Sequence, residues 1–469
     1  MRLSFWLYLK RKKHTLRKSI GQEDTYRLKK NNRYRNNRYR KYRYLQYLLM
    51  LVISLFVVGG LFSSLQNLEK KEYRKEKELQ KNPEAQMEIS NPNIRVLIMT
   101  DGYAEVAHPT VEISAVNGLV ITYGEETEET EGMQSVIFAP DDPRFQSGNV
   151  RIYARDGGEI TLQSIERGCG TPSYAGILEL RTTAEGVIVI NELPVETYLC
   201  KVVPSEMPAS YELEALKAQA VCARSYAYQQ MQDYAYPEYE AHVNDSTDYQ
   251  VYGNSLPQNT TNQAVEETKG QVVRYQGQIV TTYYYSTSCG KTTNLEAWGT
   301  ECNEQNAYLQ SVEVKDSEGD YEQGLPWYRW EADIPVETLS NLIGINTGKD
   351  IGVLQSLEVT KEGPGGVALQ ICAVGEKGQL TVETENKIRR VLGGSGYEIR
   401  KQDGTNVASS SLLPSAFFTI QREGDIFFIK GGGYGHGIGM SQNGANEMAK
   451  KGKNYIDILT LFFQGITVE

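Results

Sequence analysis

From residue 93 to about 203 the chain is built of short runs in which apolar and polar positions alternate. IRVLIM (94–99), GLVITY (118–123), NVRIYA (149–154) and GVIVIN (186–191) are examples, separated by turns rich in Gly, Asp and Pro. A period of two with such punctuation predicts a β-rich region with hairpin-like connections. The acidic stretch Glu125–Glu131 reads as a solvated loop within it. The period then changes. Leu213, Leu216, Ala220, Ala223 and Ala227 recur at spacings of three and four, which predicts one long helix from a cap at Ser210 to about Gln230. Glu212 and Glu214 fall in its first turn, where they complement the helix dipole. Strand patterns resume over 264–285 with a turn at Gln276–Gly277, and again over 351–382 around GPGG, with a short helix at 336–345 between them. DIFFIKG reads as a late strand, followed by a Gly-rich loop and two short helices, Ser441–Lys450 and Tyr455–Phe463. The expected architecture is α+β, with one long central helix packed among mixed sheets.

One run fits neither period. Tyr44 to Leu65, centred on LLMLVISLFVVGGLF, is free of charge. Twenty-two residues at 1.5 Å rise span about 33 Å, against a hydrocarbon core of roughly 30 Å. Before it, residues 1–43 hold sixteen Lys and Arg against Glu23 and Asp24, a net +14, so the rest of this chain of net charge -10 carries -24. The positive-inside rule then predicts a single N-terminal transmembrane helix with a cytoplasmic basic tail (1–43) and an exported remainder. The anchor (44–66) leads into a charged linker (67–91) and an extracytoplasmic domain (92–469), whose β-rich part (92–203) precedes a part that carries the chemistry (204–469). A cleaved signal peptide is the competing reading, helped by small residues around Gly60 and Ser64. The basic tail is explained as an orientation signal near anionic lipid, and no nucleic-acid partner is expected.

The six cysteines, all beyond the anchor, form no CxxC and suggest buried free thiols; if a disulfide exists, Cys289–Cys302 is the favoured pair. Glu206 is the first candidate for chemistry. It stands between Pro204 and Pro208, whose fixed φ angles stiffen the connection ahead of the long helix. A carboxyl held there, without being lost in the core, suits a general acid. Val203 and Met207 would raise its pKa by desolvation and a helix N-terminus would lower it, and both outcomes are open at this point. The loop Gly431–Gly439 has six glycines in nine positions, interrupted by Tyr434, His436 and Ile438. It is either a tight structural connection, with His436 bonded to nearby backbone, or a cleft wall whose free N–H groups grip sugar hydroxyls. It lacks the GK[ST] of a phosphate-binding loop.

Residues 193–230, LPVETYLCKVVPSEMPASYELEALKAQAVCARSYAYQQ, resemble the signature of the SpoIID/LytB domain of the stage II sporulation protein D group. That pattern runs L-x-x-E-x-Y-L-x-G-V-V-x-x-E-M-P, then E-A-L-K-A-Q-A-V-A-A-R-T-Y-A. The matches include Leu193, Glu196, Tyr198, Leu199, Glu206, Met207, Pro208 and Arg224. STSCGKTTNLEAWG (286–299) and GYGHGIGMSQNGANEMAKKGKNYIDILTLFFQGI (433–466) resemble two further family motifs. The resemblance spans about 92–469. It implies a peptidoglycan lytic transglycosylase with Glu206 as catalytic acid/base, without a cofactor. Arg224, Asp245, Gln250, Ser288, Tyr434, His436, Ser441 and Gln442 are then expected as substrate contacts, with Tyr434 stacking on a sugar. It further implies glycan strands as partner and, in the sporulation protein, work in engulfment beside a peptidoglycan amidase. Some members bind zinc through H-x-x-C-D-x-T-x-C-Q-x-Y. This chain reads AHVNDSTDYQVYG at 241–253, with Asn244 and Tyr249 in place of both cysteines, so no metal is expected. Asp245 and Gln250 are instead expected to face the groove.

Three rivals stay open. Hydrolysis of the same bond would need Asp245 or Glu296 across the cleft from Glu206. A cysteine enzyme would use Cys289 or Cys222 with His436 as base. A non-catalytic wall-binding module would use the same groove without cutting.

Overall fold

The computed structural model describes residues 91–469. The basic tail, the span 44–66 and the linker up to residue 90 lie outside the described residues. Among the described residues no helix is long and apolar enough to cross a membrane. The fold is α+β. Its helices are α1 (Val195–Glu206), α2 (Leu213–Gln230), α3 (Asn259–Glu267), α4 (Val336–Thr347), α5 (Glu385–Leu392), α6 (Gln442–Lys450) and α7 (Tyr455–Phe462).

The alternating runs become two antiparallel-dominated sheets. Strand Val187–Pro194 is central to an eight-stranded sheet and buries its first five residues, VIVIN. It pairs with Asn93–Ile98 in the register Asn93↔Pro194 to Ile98↔Val189, and with Ile177–Thr182 on its other side. A second sheet of four strands carries Val111–Ala115 and Ile160–Leu162, and Ile113, Ile160 and Leu162 are fully buried in the common core. The acidic stretch is not a loop. Glu126–Glu129 is an exposed edge strand paired to Leu119–Tyr123, where its charge protects the edge from further pairing.

Two-residue strand Val243–Asn244 runs parallel to Asn93–Ile98 and matters more than its length suggests. It delivers the following loop, 245–255, against the end of α1. Here the structure corrects the sequence reading, which kept α1 extended and Glu206 in a non-helical linker. Val195, Tyr198, Leu199 and Val202 are buried at helical spacing, and Pro194 precedes them as N-cap. Pro204 sits in the last turn, where a missing donor costs little, and Met207 N–H closes the helix on Val203 O at 2.9 Å. The long helix α2 starts at Leu213 rather than at Ser210. Its N-cap residue is Glu212, whose N–H donates to Asn446 Oδ1 at 2.9 Å. Leu216, Ala220, Ala223 and Ala227 are fully buried, and these small side chains let α1, α3, α6 and α7 pack closely on α2.

Residues 264–267, expected as strand, belong to α3. The turn at Gln276–Gly277 is present, with φ of 51° and 79°, joining short strands Val273–Tyr275 and Gln278–Ile279. Strand Tyr284–Tyr285 pairs in parallel with Met440–Ser441, more than 150 residues later. Between them an inserted lobe carries a five-stranded sheet (Asn406–Ala408, Glu398–Lys401, Trp330–Pro335, Ile426–Gly431, Phe418–Glu423, in spatial order). The lobe also holds a three-stranded sheet (Leu354–Glu362, Ala368–Gly375, Gly378–Glu383) with α4 and α5 packed together.

Candidate active site

A cleft of about 320 Å³ opens where the end of α1, the loop 247–251, strand Tyr284–Tyr285 and the Gly-rich loop converge. Glu206, the last residue of α1, lies in it with Tyr226, Asp248, Tyr283, Trp298 and His436 among its neighbours. Glu206 Oε1 accepts from Val251 N–H at 2.7 Å, and its carboxyl also bonds the Tyr284 hydroxyl. Burial pushes Glu206 up to about 7, the two hydrogen bonds opposing it only in part. Among the described residues no cation neutralises it. Its position at a helix C-terminus, rather than ahead of a helix N-terminus, acts in the same direction, because the dipole there disfavours a carboxylate. The open question of the sequence is thus decided for desolvation.

A second layer fixes this pair. Gln250 Nε2 donates to Tyr284 Oη at 3.1 Å and to Ala223 O at 3.3 Å, and burial raises the Tyr284 phenol well above its usual value. Tyr284 is therefore a neutral donor to Glu206. Gln442 Nε2 holds the Glu206 backbone carbonyl at 3.1 Å, and Ser205 Oγ accepts from Asn254 and Ser255 N–H, both at 3.1 Å, tying the loop to α1. Gln250 and Gln442 are buried positioning residues, not groups facing the groove.

His436 lines the cleft but both ring nitrogens are taken. Nδ1 accepts from Ile438 N–H at 3.1 Å, which leaves the proton on Nε2, bonded to Tyr284 O at 3.0 Å. Burial lowers its pKa to about 4. It is a neutral pin between the Gly-rich loop and the strand that carries Tyr284. Several of the loop's N–H groups are likewise spoken for: Gly432, Gly433, Tyr434 and Gly435 donate to Phe417, Trp327, Thr287 and Pro414 carbonyls. The close approach that glycine permits here is to protein. Gly439 has φ 76°, and a Cβ on it would lie 2.2 Å from Tyr283 O. At these positions the N–H groups are not free for sugar.

Other expected contacts are structural too. Arg224 is fully buried, with Nε and Nη2 on the two oxygens of Glu196 at 2.8 Å each, and it further donates to Gln271 O and Val265 O. Asp245 is fully buried against Arg167 (2.8 Å) and accepts from Met99 N–H at 3.0 Å. Neither reaches the cleft. Tyr434 packs on Trp327 (ring centroids 4.8 Å apart), away from the cleft lining. Ser288 and Ser441 converge on Glu322, a carboxyl that the sequence reading missed. Ser288 N–H and Ser441 Oγ reach Glu322 Oε1 at 2.9 and 2.8 Å, and Ser288 Oγ bonds Oε2. Burial pushes Glu322 up to about 7 as well. Ser441 also caps α6, accepting from Gly444 N–H at 3.2 Å.

The residues at the relatives' zinc motif do not fit a metal. His242 Nδ1 accepts from Arg95 N–H at 3.0 Å and its ring stacks on Tyr234. Asn244 bridges Tyr236 Oη and Ser246, and Tyr249 packs on Tyr236. Among the described residues no three His, Cys, Asp or Glu side chains converge. All six cysteines are free thiols. Cys222 is buried and pushed well up in pKa, and with both ring nitrogens of His436 committed, that histidine is no base for Cys222 or Cys289. Of the other carboxylates, Glu296 is exposed and does not line the cleft, whereas Asp248 does.

A family model described as stage II sporulation protein matches residues 183–275, which hold α1, α2 and Glu206. The stage II sporulation protein D of Bacillus subtilis is 30% identical over 293 residues, covering 60% of this chain and 75% of that protein. The chain belongs to the stage II sporulation protein D family. The Bacillus amyloliquefaciens member is 29% identical over 346 residues, covering 69% of this chain and 89% of that protein. An amidase enhancer of B. subtilis is 31% identical over 291 residues, and the match spans only 39% of its length. A second model, a domain of unknown function, matches 283–439, so in this family member the cleft lies between the two matched regions.

Proposed function

We propose that this chain is a peptidoglycan lytic transglycosylase that cuts glycan strands between MurNAc and GlcNAc, with Glu206 as acid and then base. The observation that carries the reading is a single half-buried carboxyl, poised near neutrality with no cation among the described residues beside it, at the base of an open aromatic cleft. Protonated Glu206 gives its proton to the glycosidic oxygen as the C1–O bond of MurNAc breaks. The resulting carboxylate takes the proton of the same sugar's 6-hydroxyl as that oxygen closes on C1. The products are a 1,6-anhydro end and a free GlcNAc hydroxyl, and no water is consumed. Tyr284 and Val251 N–H hold the carboxyl through both steps and stabilise its charged form in the middle.

The sporulation protein D relatives support a role in sporulation, and the amidase enhancer relative supports work beside an amidase; the anchor in this reading is the uncharged run 44–66. Hydrolysis is the second reading, and Asp248 on the cleft lining is what favours it. Full-length protein in detergent, incubated with purified glycan strands, tests both. Anhydro-MurNAc ends by mass spectrometry are expected from wild type and not from Glu206→Gln. Reducing MurNAc ends, lost on Asp248→Asn, would establish hydrolysis instead. Binding without any product would establish the wall-binding module.

A further inference from the structure

One wall of the cleft takes no part in the proton transfers above. Trp298 ends the 3-10 helix Leu295–Trp298 and lines the cleft with Glu206. Its ring meets Tyr283 edge-on at 4.8 Å and His436 at 5.1 Å, centroid to centroid. Its indole N–H points away from this cluster and into the inserted lobe, where Nε1 donates to Glu385 Oε1 at 3.0 Å. Glu385 is 1% exposed, at the first position of α5. Its other oxygen accepts from Arg389 Nη1 at 3.2 Å, and Arg389 Nε is fixed on Leu413 O at 2.8 Å.

The backbone at this junction is unusual. Thr384, the residue before Glu385, has φ 74° and ψ 142°, a conformation that a β-branched residue rarely adopts. It abuts Gly299, the residue after Trp298, which is itself left-handed at φ 77°; a Cβ there would lie 3.4 Å from Thr384 Cγ2. The lobe is therefore fitted to the Trp298 turn at two consecutive points, one a strained backbone and the other a buried carboxylate aimed at the indole. Strain of this kind persists where the surroundings over-determine a geometry.

We propose that Trp298 is a sugar-stacking platform of the cleft and that Glu385, acting through the indole N–H, is the positioning residue by which the inserted lobe sets the angle of that platform. The proposal rests on the glycan-cleaving reading and deepens it. The indole offers a flat apolar face to the C–H face of a pyranose, and its polar edge is satisfied on the far side, so the N–H needs no hydrogen-bond partner in the cleft. Sequence far from Glu206 thereby contributes to substrate affinity and leaves the proton chemistry alone.

Equilibrium binding of peptide-free glycan strands to the full-length Glu206→Gln protein in detergent tests this, because it reads affinity without turnover. Added to that background, Trp298→Ala is expected to weaken binding about tenfold. Glu385→Leu, which removes the acceptor, is expected to weaken it about fivefold. Glu385→Gln keeps an oxygen for the indole while losing the charge beside Arg389, and is expected to bind within about twofold of the parent. A merely structural Glu385 would act through Arg389, so the Gln and Leu variants would then bind alike, and that result overturns the positioning role. Trp298→Ala binding as tightly as the parent overturns the platform. Failure of the parent itself to bind any glycan sinks the underlying reading and this proposal with it.

Discussion

Buried acids occur in two kinds of surroundings in this molecule. Beneath the sheets, Asp245 lies against Arg167, and Glu196 against Arg224, each pair closed by further hydrogen bonds and shut away from solvent. Elsewhere, among the described residues, Glu206 and Glu322 have only neutral donors: a backbone N–H and a phenol for one, two serines for the other. A guanidinium offsets part of the cost of burying a charge, although burial still raises Asp245 above its usual value; around Glu206 and Glu322 serine, tyrosine and amide groups leave more of that cost unmet, and the proton stays on into the neutral range. The first arrangement gives a fixed salt bridge. The second gives a group that exchanges a proton at physiological pH, as an acid/base needs. Asp245, Glu196 and Glu322 are buried and Glu206 is half-buried, so burial alone does not single out the candidate acid/base, and of the four Glu206 alone touches an open cleft.

The comparison breaks most sharply at Glu206 itself. Glu206→Gln is expected to cut the rate of glycan cleavage by about 10³-fold with an unchanged circular dichroism spectrum. A loss under tenfold would place the acid elsewhere. Arg224→Met comes next: it leaves Glu196 buried and unpaired and is expected to cost about 3–5 kcal/mol in urea unfolding. Adding Glu196→Leu should recover most of that loss, because the pair is worth less than the penalty of breaking it.

The pH dependence of stability separates the two kinds of acid. Glu206 has its folded pKa raised to about 7 from an ordinary 4.5. Below 4.5 it is protonated in both states and costs nothing. As pH rises from there to 7 the unfolded chain ionises first, so folding loses stability. The Glu206→Gln protein should therefore gain on wild type in melting temperature between pH 5 and pH 8; parallel curves would contradict the assignment. The smallest effect concerns Glu322. Ser288→Ala is expected to cost about 1 kcal/mol at pH 8 and less at pH 5, where Glu322 carries its own proton.

Much of the fold was legible because its elements announce their period. The strands at 94–98, 119–123, 150–154 and 187–191 and the buried stripe of α2 follow directly from alternation and from spacings of three and four. The helix α1 was hidden by Pro204, which argues against a helix yet is tolerated in a last turn, and α5 by its eight-residue length. Of the site, Glu206 came from a motif. The motif did not distinguish it from Arg224 and Asp245, which occur in the same signatures but meet their partners only through contacts 28 and 78 residues away in sequence. Tyr284, Trp298 and Asp248 carried no signal of their own. A tyrosine run in a strand and a tryptophan after a small-residue loop become cleft walls only when the strand pairs with Met440–Ser441.

That parallel pairing also sets an order of events. Glu206 and its helix are complete once the first half of the chain has been made, but the pin through His436 and the hold of Gln442 on the Glu206 carbonyl arrive only with residues 436–442. A chain still emerging from the ribosome has its acid without the walls around it. Any chemistry at Glu206 that needs those walls waits until residues 436–442 have been made and folded back.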